Sequence, residues 1–383
     1  MALGLSMPGC DLFCAVVDNY GDVGVGWRLA RQLVRERNWS VRFWVDDWRA
    51  FARLCPSLDP GLPVQWVQGV EVRRWSDGLG DVTPARIVIE LFGCALPEAY
   101  LAAMAQAAVK PVWINLEYLS AEAWVDGCHG LASPHPFLPL TRYFFFPGFS
   151  DASGGLLREH DLLALRAEWD RDAPVRTEFL QRLGAVPREG MSLSLFAYPH
   201  SGLPEWWEVL SASTEPVTCL LPAGSQGESL RAAFGRVPAP GECLQRGALS
   251  LVVFPWLDSA DYDRLLWCCD VNAVRGEDSF VRAQWAQRPL LWQIYPQTDG
   301  AHRIKLEAFL QRYVAGLPAA VGEAQVHLWR AWNGFGSVGL ADAWLGWQPH
   351  LAVLRTHAAG WANALAVQPG LADALANFCE NRL

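Results

Sequence analysis

The chain contains 383 residues, of which 51% are hydrophobic and 19% are charged. At about 100–200 residues per domain, this length predicts two domains, and the composition excludes an intrinsically disordered chain. Because the net charge is −9 and no Lys/Arg cluster forms a phosphate-tracking stripe, we expect no nucleic-acid partner.

The ten cysteines contain no C-x-x-C pair and no zinc-like spacing, and most lie in apolar runs. The N-terminal residues lack the positive region of a signal peptide, and no apolar run reaches the roughly 18–20 residues that span a bilayer. We therefore expect a cytoplasmic protein with reduced thiols, no metal and no membrane partner. Twenty tryptophans favour an aromatic binding surface, unless core packing absorbs most of them.

The first half of the chain alternates strand and helix patterns. Residues 11–17 form a short, continuous apolar run typical of a buried parallel strand, and residues 27–36 have a helical apolar period. Residues 143–159 have no regular period and are predicted to be a loop. The remaining elements predicted in this half are strands at 41–45, 86–92 and 112–119 and a helix at 97–107.

A second series of strands begins near residue 190, with helical patterns between the strands and over the last 30 residues. These strands are predicted at 192–199, 217–223, 249–257 and 269–274. The polar, proline-bearing stretch 170–190 predicts a boundary between the two series.

We therefore predict an α/β fold of two Rossmann-like, doubly wound domains that face each other across a cleft. The N-terminal domain is expected over residues 1–180, completed by a C-terminal helix at 357–383. The C-terminal domain is expected over residues 181–356.

The loop DNYGDVGVG, residues 18–26, connects the first predicted strand to the first helix. Its glycines are ordered G-x-x-G-x-G, whereas the dinucleotide fingerprint is G-x-G-x-x-G. Asp18 and Asp22 would repel a pyrophosphate at this helix N-terminus, so the loop favours general-base or cation-orienting work over phosphate binding. The alternative is that Asp22 only caps the helix and Asp18 only fixes the turn.

A second candidate site is the segment VRGEDSFVR, residues 274–282, which follows a predicted strand and begins a helix. Free amides at the helix start, with Arg275 and Ser279 as side-chain donors, suit a diphosphate. The alternative is a capped helix whose dipole Glu277 and Asp278 complement.

Aromatic side chains lie at the ends of two strands predicted in the second series. These side chains could line a slot for a flat base, although aromatic residues at strand ends often belong to the core. They are Phe196, Tyr198, Phe254 and Trp256.

Read together, six segments of the chain resemble the EarP family of protein-arginine rhamnosyltransferases, which modify bacterial translation elongation factor P. The segments occur in the same order and cover most of the first 310 residues, and the NYGD and RGEDSFVRAQWA runs are the most specific. They are residues 14–33, 41–48, 114–122, 144–159, 262–286 and 289–302.

The resemblance implies an inverting glycosyltransferase of the GT-B architecture that needs neither a metal nor another cofactor. The donor would be dTDP-β-L-rhamnose, held by the C-terminal domain. The acceptor would be one arginine on the N-terminal domain of elongation factor P, held by the N-terminal domain of this chain. The modification would activate that factor to rescue ribosomes stalled at polyproline.

The resemblance also assigns site residues. The catalytic positions are Asp18, Asp22 and Glu277. The nucleotide contacts carried over are Phe196, Tyr198, Arg275, Asp278 and Ser279. We add neighbouring residues to the expected nucleotide-sugar site: Asn19, Tyr20, Gly21, Phe254, Trp256, Ser259 and Gly276.

The chain departs from the family pattern at residues 256–259. The stretch Trp256-Leu257-Asp258-Ser259 stands where a Phe-Leu-Pro-Gln type sequence is expected. Trp256 is still able to stack on thymine, whereas Ser259 replaces a glutamine and has a shorter hydrogen-bonding reach.

The sequence leaves other functions open. One is a related GT-B transferase with another nucleotide sugar or another protein acceptor. A second is a dinucleotide-dependent oxidoreductase, against which the glycine order and the two aspartates argue. A third is a binding protein that has lost its activity, which would have no need of Asp18, Asp22 and Glu277 together.

Overall fold

The computed structural model describes residues 8–18, 20–75, 82–186 and 189–383. These residues form two compact units. Unit 1 comprises the described residues up to His160 together with Leu365–Leu383, and unit 2 is the continuous stretch Asp161–Ala364. The chain therefore leaves unit 1 once and returns to it for its last helix.

The secondary structure of the described residues follows the chain in two series. The strands are β1 (Gly9–Cys14), β2 (Ser40–Val45), β3 (Val64–Val67), β4 (Val70–Arg74), β5 (Ile87–Leu91), β6 (Val112–Leu116), β7 (Ala132–Pro134), β8 (Thr141–Phe145), β9 (Met191–Leu195), β10 (Val217–Pro222), β11 (Cys243–Arg246), β12 (Leu249–Phe254), β13 (Val271–Arg275) and β14 (Leu290–Gln293). The helices are α1 (Gly21–Arg37), α2 (Trp48–Leu54), α3 (Glu98–Gln106), α4 (Val125–Cys128), α5 (Leu162–Arg171), α6 (Ala173–Arg182), α7 (Leu203–Ser211), α8 (Gly227–Phe234), α9 (Ser259–Cys268), α10 (Asp278–Trp285), α11 (Ala301–Tyr313), α12 (Ala319–Trp332), α13 (Leu340–Trp347), α14 (Leu351–Ala366) and α15 (Leu371–Glu380).

Unit 1 is built on a sheet with the strand order β3-β4-β2-β1-β5-β6-β8-β7. The six central strands are parallel, and β3 and β7 pair antiparallel at the two edges. Numbered along the chain, the parallel strands follow the Rossmann order 3-2-1-4-5-6. The order reverses between β1 and β5, whose carboxyl ends are the place where such sheets bind ligands.

Unit 2 repeats this plan in a sheet with the order β11-β12-β10-β9-β13-β14. Its five strands from β12 to β14 are parallel, and β11 pairs antiparallel with β12 at one edge. Here the order reverses between β9 and β13. The predicted α/β class with two doubly wound sheets is therefore confirmed.

The boundary between the two units differs from the boundary predicted from the sequence. The expected boundary stretch 170–190 contains α6, whose first turn is held by the Asp172 carboxylate accepting from the Val175 N–H (3.1 Å). Phe179 and Leu183 then pack in the core of unit 2. For this reason the structure divides at residues 160–161, whereas the sequence-based division stands at residues 180–181.

Several short elements were not predicted from the sequence, among them the hairpin of β3 and β4 and the helix α2. Residues 143–145, expected in a loop, belong to β8, because their backbone pairs with β6 on one side and β7 on the other. Short edge strands carry too few residues to establish a period.

Most of the tryptophans are buried in the cores, so they do not form the aromatic surface that their number suggested. Trp66 and Trp124 are exceptions, with half or more of each side chain exposed. Among the described residues, no helix is both long enough and apolar enough to cross a membrane.

Helix α1 lies close against the sheet of unit 1 at Gly26. A Cβ atom at this position would lie 2.7 Å from Leu91 Cδ1 and 2.9 Å from Phe43 Cζ. Both neighbours are buried in the core, where close packing leaves little room for them to move. Gly26 therefore sets the distance between the helix and the sheet.

Replacing Gly26 with Ala should destabilise the fold by about 1–3 kcal/mol, because the added methyl group overpacks the core. The matched control is Gly360→Ala in α14, where a Cβ would meet no atom within 4 Å. That change should be neutral or stabilising by up to about 1 kcal/mol. Denaturant unfolding of both variants measures the difference, and equal effects would contradict the close packing at Gly26.

Candidate active site

Most of the predicted site residues lie where the strand order of each sheet reverses, whereas Phe254, Trp256 and Ser259 lie at or after the end of β12. In unit 1, Asp18 follows β1 and Phe92 follows β5. In unit 2, Phe196 follows β9 and Gly276 follows β13. The carboxyl ends of these strand pairs form the crevices in which doubly wound sheets bind ligands.

The Asp22 carboxylate fixes the loop that follows β1. Its Oδ2 accepts hydrogen bonds from the backbone N–H groups of Val17 and Asp18, each at 2.8 Å. Both donors precede helix α1, and the N-cap residue Tyr20 makes no side-chain capping bond. The geometry does not match the alternative in which Asp22 only caps the helix, because its carboxylate holds the backbone at Asp18.

The buried position of Asp22 makes its charge costly. Burial raises the pKa of the Asp22 carboxyl, and the nearby Asp18 carboxylate raises it further. Hydrogen bonds from the Asp18 and Val17 amides and from Tyr118 act in the opposite direction. Two neighbouring carboxyl groups are therefore held together where the strand order of the unit 1 sheet reverses.

The Asp18 side chain is 8% exposed and is packed against Gly21. The Gly21 N–H donates to the Asp18 carbonyl at 2.7 Å, which closes a tight turn. A Cβ on Gly21 would lie 2.7 Å from Asp18 Oδ2, so only glycine leaves room for the carboxylate. The neighbouring Tyr20 hydroxyl contacts Arg53. Asn19, predicted in the same loop, lies outside the described residues.

Sequence reasoning missed two aromatic residues beside this loop. Phe92 follows β5 in a left-handed conformation, with φ 58°, and its ring stacks on Tyr118 at 4.1 Å between centroids. Tyr118 also contributes the hydrogen bond to Asp22. Both residues lie just after parallel strands, and that position is the sequence signal by which they could have been found.

In unit 2, Arg275 lies against two predicted aromatic side chains. Its guanidinium carbon is 4.5 Å from the Phe196 ring centroid and 4.4 Å from the Tyr198 centroid. Trp256 meets Phe196 edge to face at 6.0 Å. The fourth predicted aromatic residue, Phe254, is buried in the core of unit 2.

Two buried glutamines hold the loop after β9, and sequence reasoning missed both. The Tyr198 N–H donates to Gln293 Oε1 at 2.7 Å, and Gln226 Nε2 donates to the Ala197 carbonyl at 2.7 Å. Gln293 is the last residue of β14, so the strand-end position was again the available signal. These bonds fix Tyr198 beside Arg275.

The turn from β13 into α10 is closed by Ser279. Its hydroxyl accepts from the Arg275 N–H at 3.0 Å and donates to the Arg275 carbonyl. Gly276 adopts φ 60°, a conformation suited to glycine. Glu277 occupies the N-cap position without a side-chain capping bond, and Asp278 begins the helix. Both acids therefore lie at the start of α10, as expected in the alternative in which they complement the helix dipole.

Helix α10 is anchored on α9 by a buried, bidentate ion pair. Arg282 donates to both carboxylate oxygens of Asp263, at 2.9 Å and 2.7 Å. Helix α9 is itself capped by Asp258, which accepts from the N–H groups two and three residues ahead, and its first residue is Ser259. Removing one partner of such a pair is strongly destabilising, so α10 is held rigidly.

Comparisons with known proteins identify the family. A model of the family described as "Elongation-Factor P (EF-P) rhamnosyltransferase EarP" matches residues 10–380. The chain belongs to the EarP family. It is 49% identical over 375 residues to a protein-arginine rhamnosyltransferase of Pseudomonas putida, covering 97% of this chain and 99% of that protein. The corresponding protein of Shewanella oneidensis is 39% identical over 387 residues, with 97% of each chain covered.

Solved structures agree with this assignment. A structure described as "Structural basis for EarP-mediated arginine glycosylation of translation elongation factor EF-P" is 37% identical, with a TM-score of 0.70 over 98% of this chain and 100% of that chain. A UDP-glucosyltransferase of Polygonum tinctorium, 11% identical, reaches a TM-score of 0.52 over 98% of each chain, which shows a shared fold alone.

The EarP-family chain thus has a GT-B type fold and is a glycosyltransferase, a protein-arginine rhamnosyltransferase. The predicted family, fold class and enzyme class are confirmed. The alternative of a dinucleotide-dependent oxidoreductase is excluded by the same matches.

Replacing Asp22 with Asn keeps an acceptor oxygen for the two loop amides but removes the charge. The Asp22 carboxyl has a higher pKa in the folded protein than in the unfolded chain, so the folded protein binds its proton more tightly. The wild-type protein therefore loses stability as the pH rises from the unfolded-state pKa through the folded-state pKa of Asp22. We therefore expect the unfolding free energy of the variant, relative to wild type, to increase over the acidic range as the pH rises above about 4, the pKa of an unperturbed Asp carboxyl. Denaturant unfolding across this range measures it, and a pH-independent difference would contradict the raised pKa.

Proposed function

We propose that this enzyme transfers L-rhamnose from dTDP-β-L-rhamnose to an arginine side chain of translation elongation factor P, with inversion at the anomeric carbon. The main support for this proposal is the position of the Asp18 carboxylate, where the strand order of the unit 1 sheet reverses. Asp22 holds the Asp18 backbone, Gly21 leaves room for the carboxylate, and the chain belongs to the EarP family. The description of the family and the relative's structure name the same acceptor.

The acceptor chemistry requires a carboxylate. A guanidinium remains protonated near neutral pH, and its nitrogens are poor nucleophiles. Asp18 would orient the guanidinium by charge-assisted hydrogen bonds and act as the general base. A guanidinium nitrogen forms the bond to C1 of rhamnose while the bond from C1 to the phosphate oxygen breaks. The electron pair leaves with dTDP, and the nitrogen's proton passes to Asp18.

Asp22 acts as a positioning residue in this scheme. Its carboxylate holds the backbone of Asp18 through two amide hydrogen bonds, so the base keeps its place when the acceptor arrives. A carboxyl beside a second carboxyl also favours binding of a cationic side chain, which offsets the repulsion between the two acids.

The donor site is proposed in unit 2, at the start of α10. Arg275 and the first amides of this helix would neutralise the diphosphate as it leaves, so the proposal requires no metal ion or other cofactor. Phe196, Tyr198 and Trp256 supply aromatic faces for the thymine base, and half-buried positions leave part of each ring accessible.

The remaining predicted residues surround the sugar and the diphosphate in this scheme. Glu277 does not cap α10, and its carboxylate would accept hydrogen bonds from rhamnose hydroxyls. Asp278 and Ser279 stabilise the turn that carries Arg275.

The proposed partner is the N-terminal domain of elongation factor P, which unit 1 would bind, and no nucleic-acid or membrane partner is proposed. The enzyme would act in the cytoplasm, where translation takes place. Its product would be a factor active in rescuing ribosomes stalled at polyproline.

Asp18→Asn should remove transfer while leaving donor binding intact, because the amide cannot take the proton. General-base catalysis contributes roughly 10²–10⁴-fold, and we expect a rate loss in that range. The measurement is the intact mass of elongation factor P after incubation with enzyme and dTDP-L-rhamnose. Wild type should add one deoxyhexose on an arginine.

The control for Asp18→Asn is Asp59→Asn, an exposed carboxylate of the same unit. A fully active Asp18→Asn enzyme would contradict the assignment of the base. If wild type binds dTDP but adds no deoxyhexose, the sugar or the acceptor is a different one.

Arg275→Ala should weaken the binding of dTDP by roughly 10- to 100-fold, the loss expected when charge-assisted hydrogen bonds to an anion are removed. Isothermal titration calorimetry with dTDP measures the change. The control is Arg264→Ala in the same unit, which removes an ion pair with Asp261 on α9. Equal affinities of the two variants would place the diphosphate elsewhere.

A further inference from the structure

Strand β3 leaves an open edge on the sheet of unit 1. Among the strands that the structure describes, it pairs with β4 alone, and it stands first in the strand order. The Arg74 N–H donates to the Pro63 carbonyl, which makes this a hydrogen-bonded pair of the ladder. Hydrogen-bonded and non-hydrogen-bonded pairs alternate along antiparallel strands, so the backbone N–H and C=O groups of Gln65 also point toward β4. The backbone N–H and C=O groups of Val64 and Trp66 therefore point away from the sheet.

The same two residues expose apolar side chains. Val64 is 44% exposed and Trp66 is 65% exposed, and they share one face of the strand. Edge strands are usually protected by charged side chains or by pairing, yet the sequence of β3 is VQWV. In a chain that buries most of its tryptophans, an exposed Trp on an open edge indicates a contact surface.

A groove rich in arginine adjoins this edge. We call it the basic groove, and Arg49, Arg53 and Arg74 contribute to its lining. Arg49 is exposed and forms no ion pair with any residue that the structure describes. Arg74 is also exposed; its guanidinium carbon lies 4.8 Å from the Trp48 ring centroid, and Nη2 donates to the Pro60 carbonyl at 2.8 Å.

Two aspartates also line the basic groove, and the Oδ1 atom of each accepts hydrogen bonds from backbone amides. Asp46 accepts from the N–H groups of Val16 and Asp47, and Asp47 accepts from the first amides of α2. The three guanidinium groups thus outnumber the carboxylates. On a chain with a net charge of −9, this is a local site for an acidic partner.

The basic groove reaches the loop that carries Asp18. Val16 lines the groove and belongs to the same loop after β1. Arg53, which also lines the groove, contacts the hydroxyl of Tyr20, two residues after Asp18 in the same loop. A protein that presents an arginine to Asp18 therefore has the groove directly beside its point of entry.

We propose that the β3 edge and the basic groove dock the protein acceptor. An extended segment of the acceptor adds as a strand to β3, with main-chain hydrogen bonds to Val64 and Trp66 and an apolar side chain against the Trp66 ring. Acidic side chains of the acceptor pair with Arg49 and Arg74. The inference rests on the proposed function, because it assumes a protein acceptor at Asp18.

Three variants of the full-length enzyme test the surface. Val64→Pro removes an outward N–H that the ladder does not use, Trp66→Ser removes the aromatic side chain, and Arg49→Glu reverses a charge. The matched control is Phe137→Ser, which removes a side chain that is 90% exposed in the connection between β7 and β8. Each enzyme is assayed for its KM with elongation factor P, for kcat at saturating acceptor and for its dTDP affinity.

We expect each test variant to raise the KM for elongation factor P about tenfold or more, with kcat and dTDP affinity unchanged. The Phe137→Ser control should behave as wild type. KM values equal to those of the control would overturn the inference while wild-type activity upholds the proposed function. An inactive wild type would overturn both. If β3 instead mediates a dimer, light scattering would show a dimer that Val64→Pro dissociates, with KM unchanged, and this too would overturn the inference.

Discussion

The reversal of strand order beside β1 and β9 constrains everything else in this enzyme. At each reversal the chain departs to opposite faces of the sheet, so no connection covers the carboxyl ends of the two central strands. Loops that begin there expose polar groups beside rigid strands. The Asp18 loop and the Arg275 turn both start at such an edge, which makes their positions a consequence of topology before any side chain is considered.

The two loops hold groups of opposite charge, a carboxyl in unit 1 and a guanidinium in unit 2, and neighbouring groups stabilise each of them. In unit 1, backbone amides and a tyrosine hydrogen bond stabilise a buried carboxyl whose charge is disfavoured. In unit 2, the faces of Phe196 and Tyr198 lie against the Arg275 guanidinium, a favourable contact for a weakly hydrated cation. Each charged group is held by neighbours that the fold already positions. This kind of preorganisation is the main electrostatic advantage of enzymes.

Much of this arrangement could be predicted from sequence because the informative residues are local. Continuous apolar runs indicated β1, β5 and β12, and polar residues after strands indicated Asp18 and Arg275. The supporting residues were harder to find, because Tyr118 and Gln293 reach their partners only through the order of the strands in the sheet. Phe254 shows that a strand-end position does not by itself distinguish a binding residue from a core residue. Its position at the end of β12 suggested a binding role, yet its side chain belongs to the core cluster of unit 2.

Unit 1 is assembled from two pieces of chain that are far apart in sequence. Helix α15 joins it through the Leu371 N–H to the Leu156 carbonyl and through Arg37 to Glu380. During synthesis, the ribosome delivers every residue of unit 2 before it delivers α15. Folding from the N-terminus therefore leaves unit 1 incomplete until α15 emerges, while every residue of unit 2 is already available to fold. A product truncated before Leu371 would contain all of unit 2 but lack the helix that completes the unit containing Asp18.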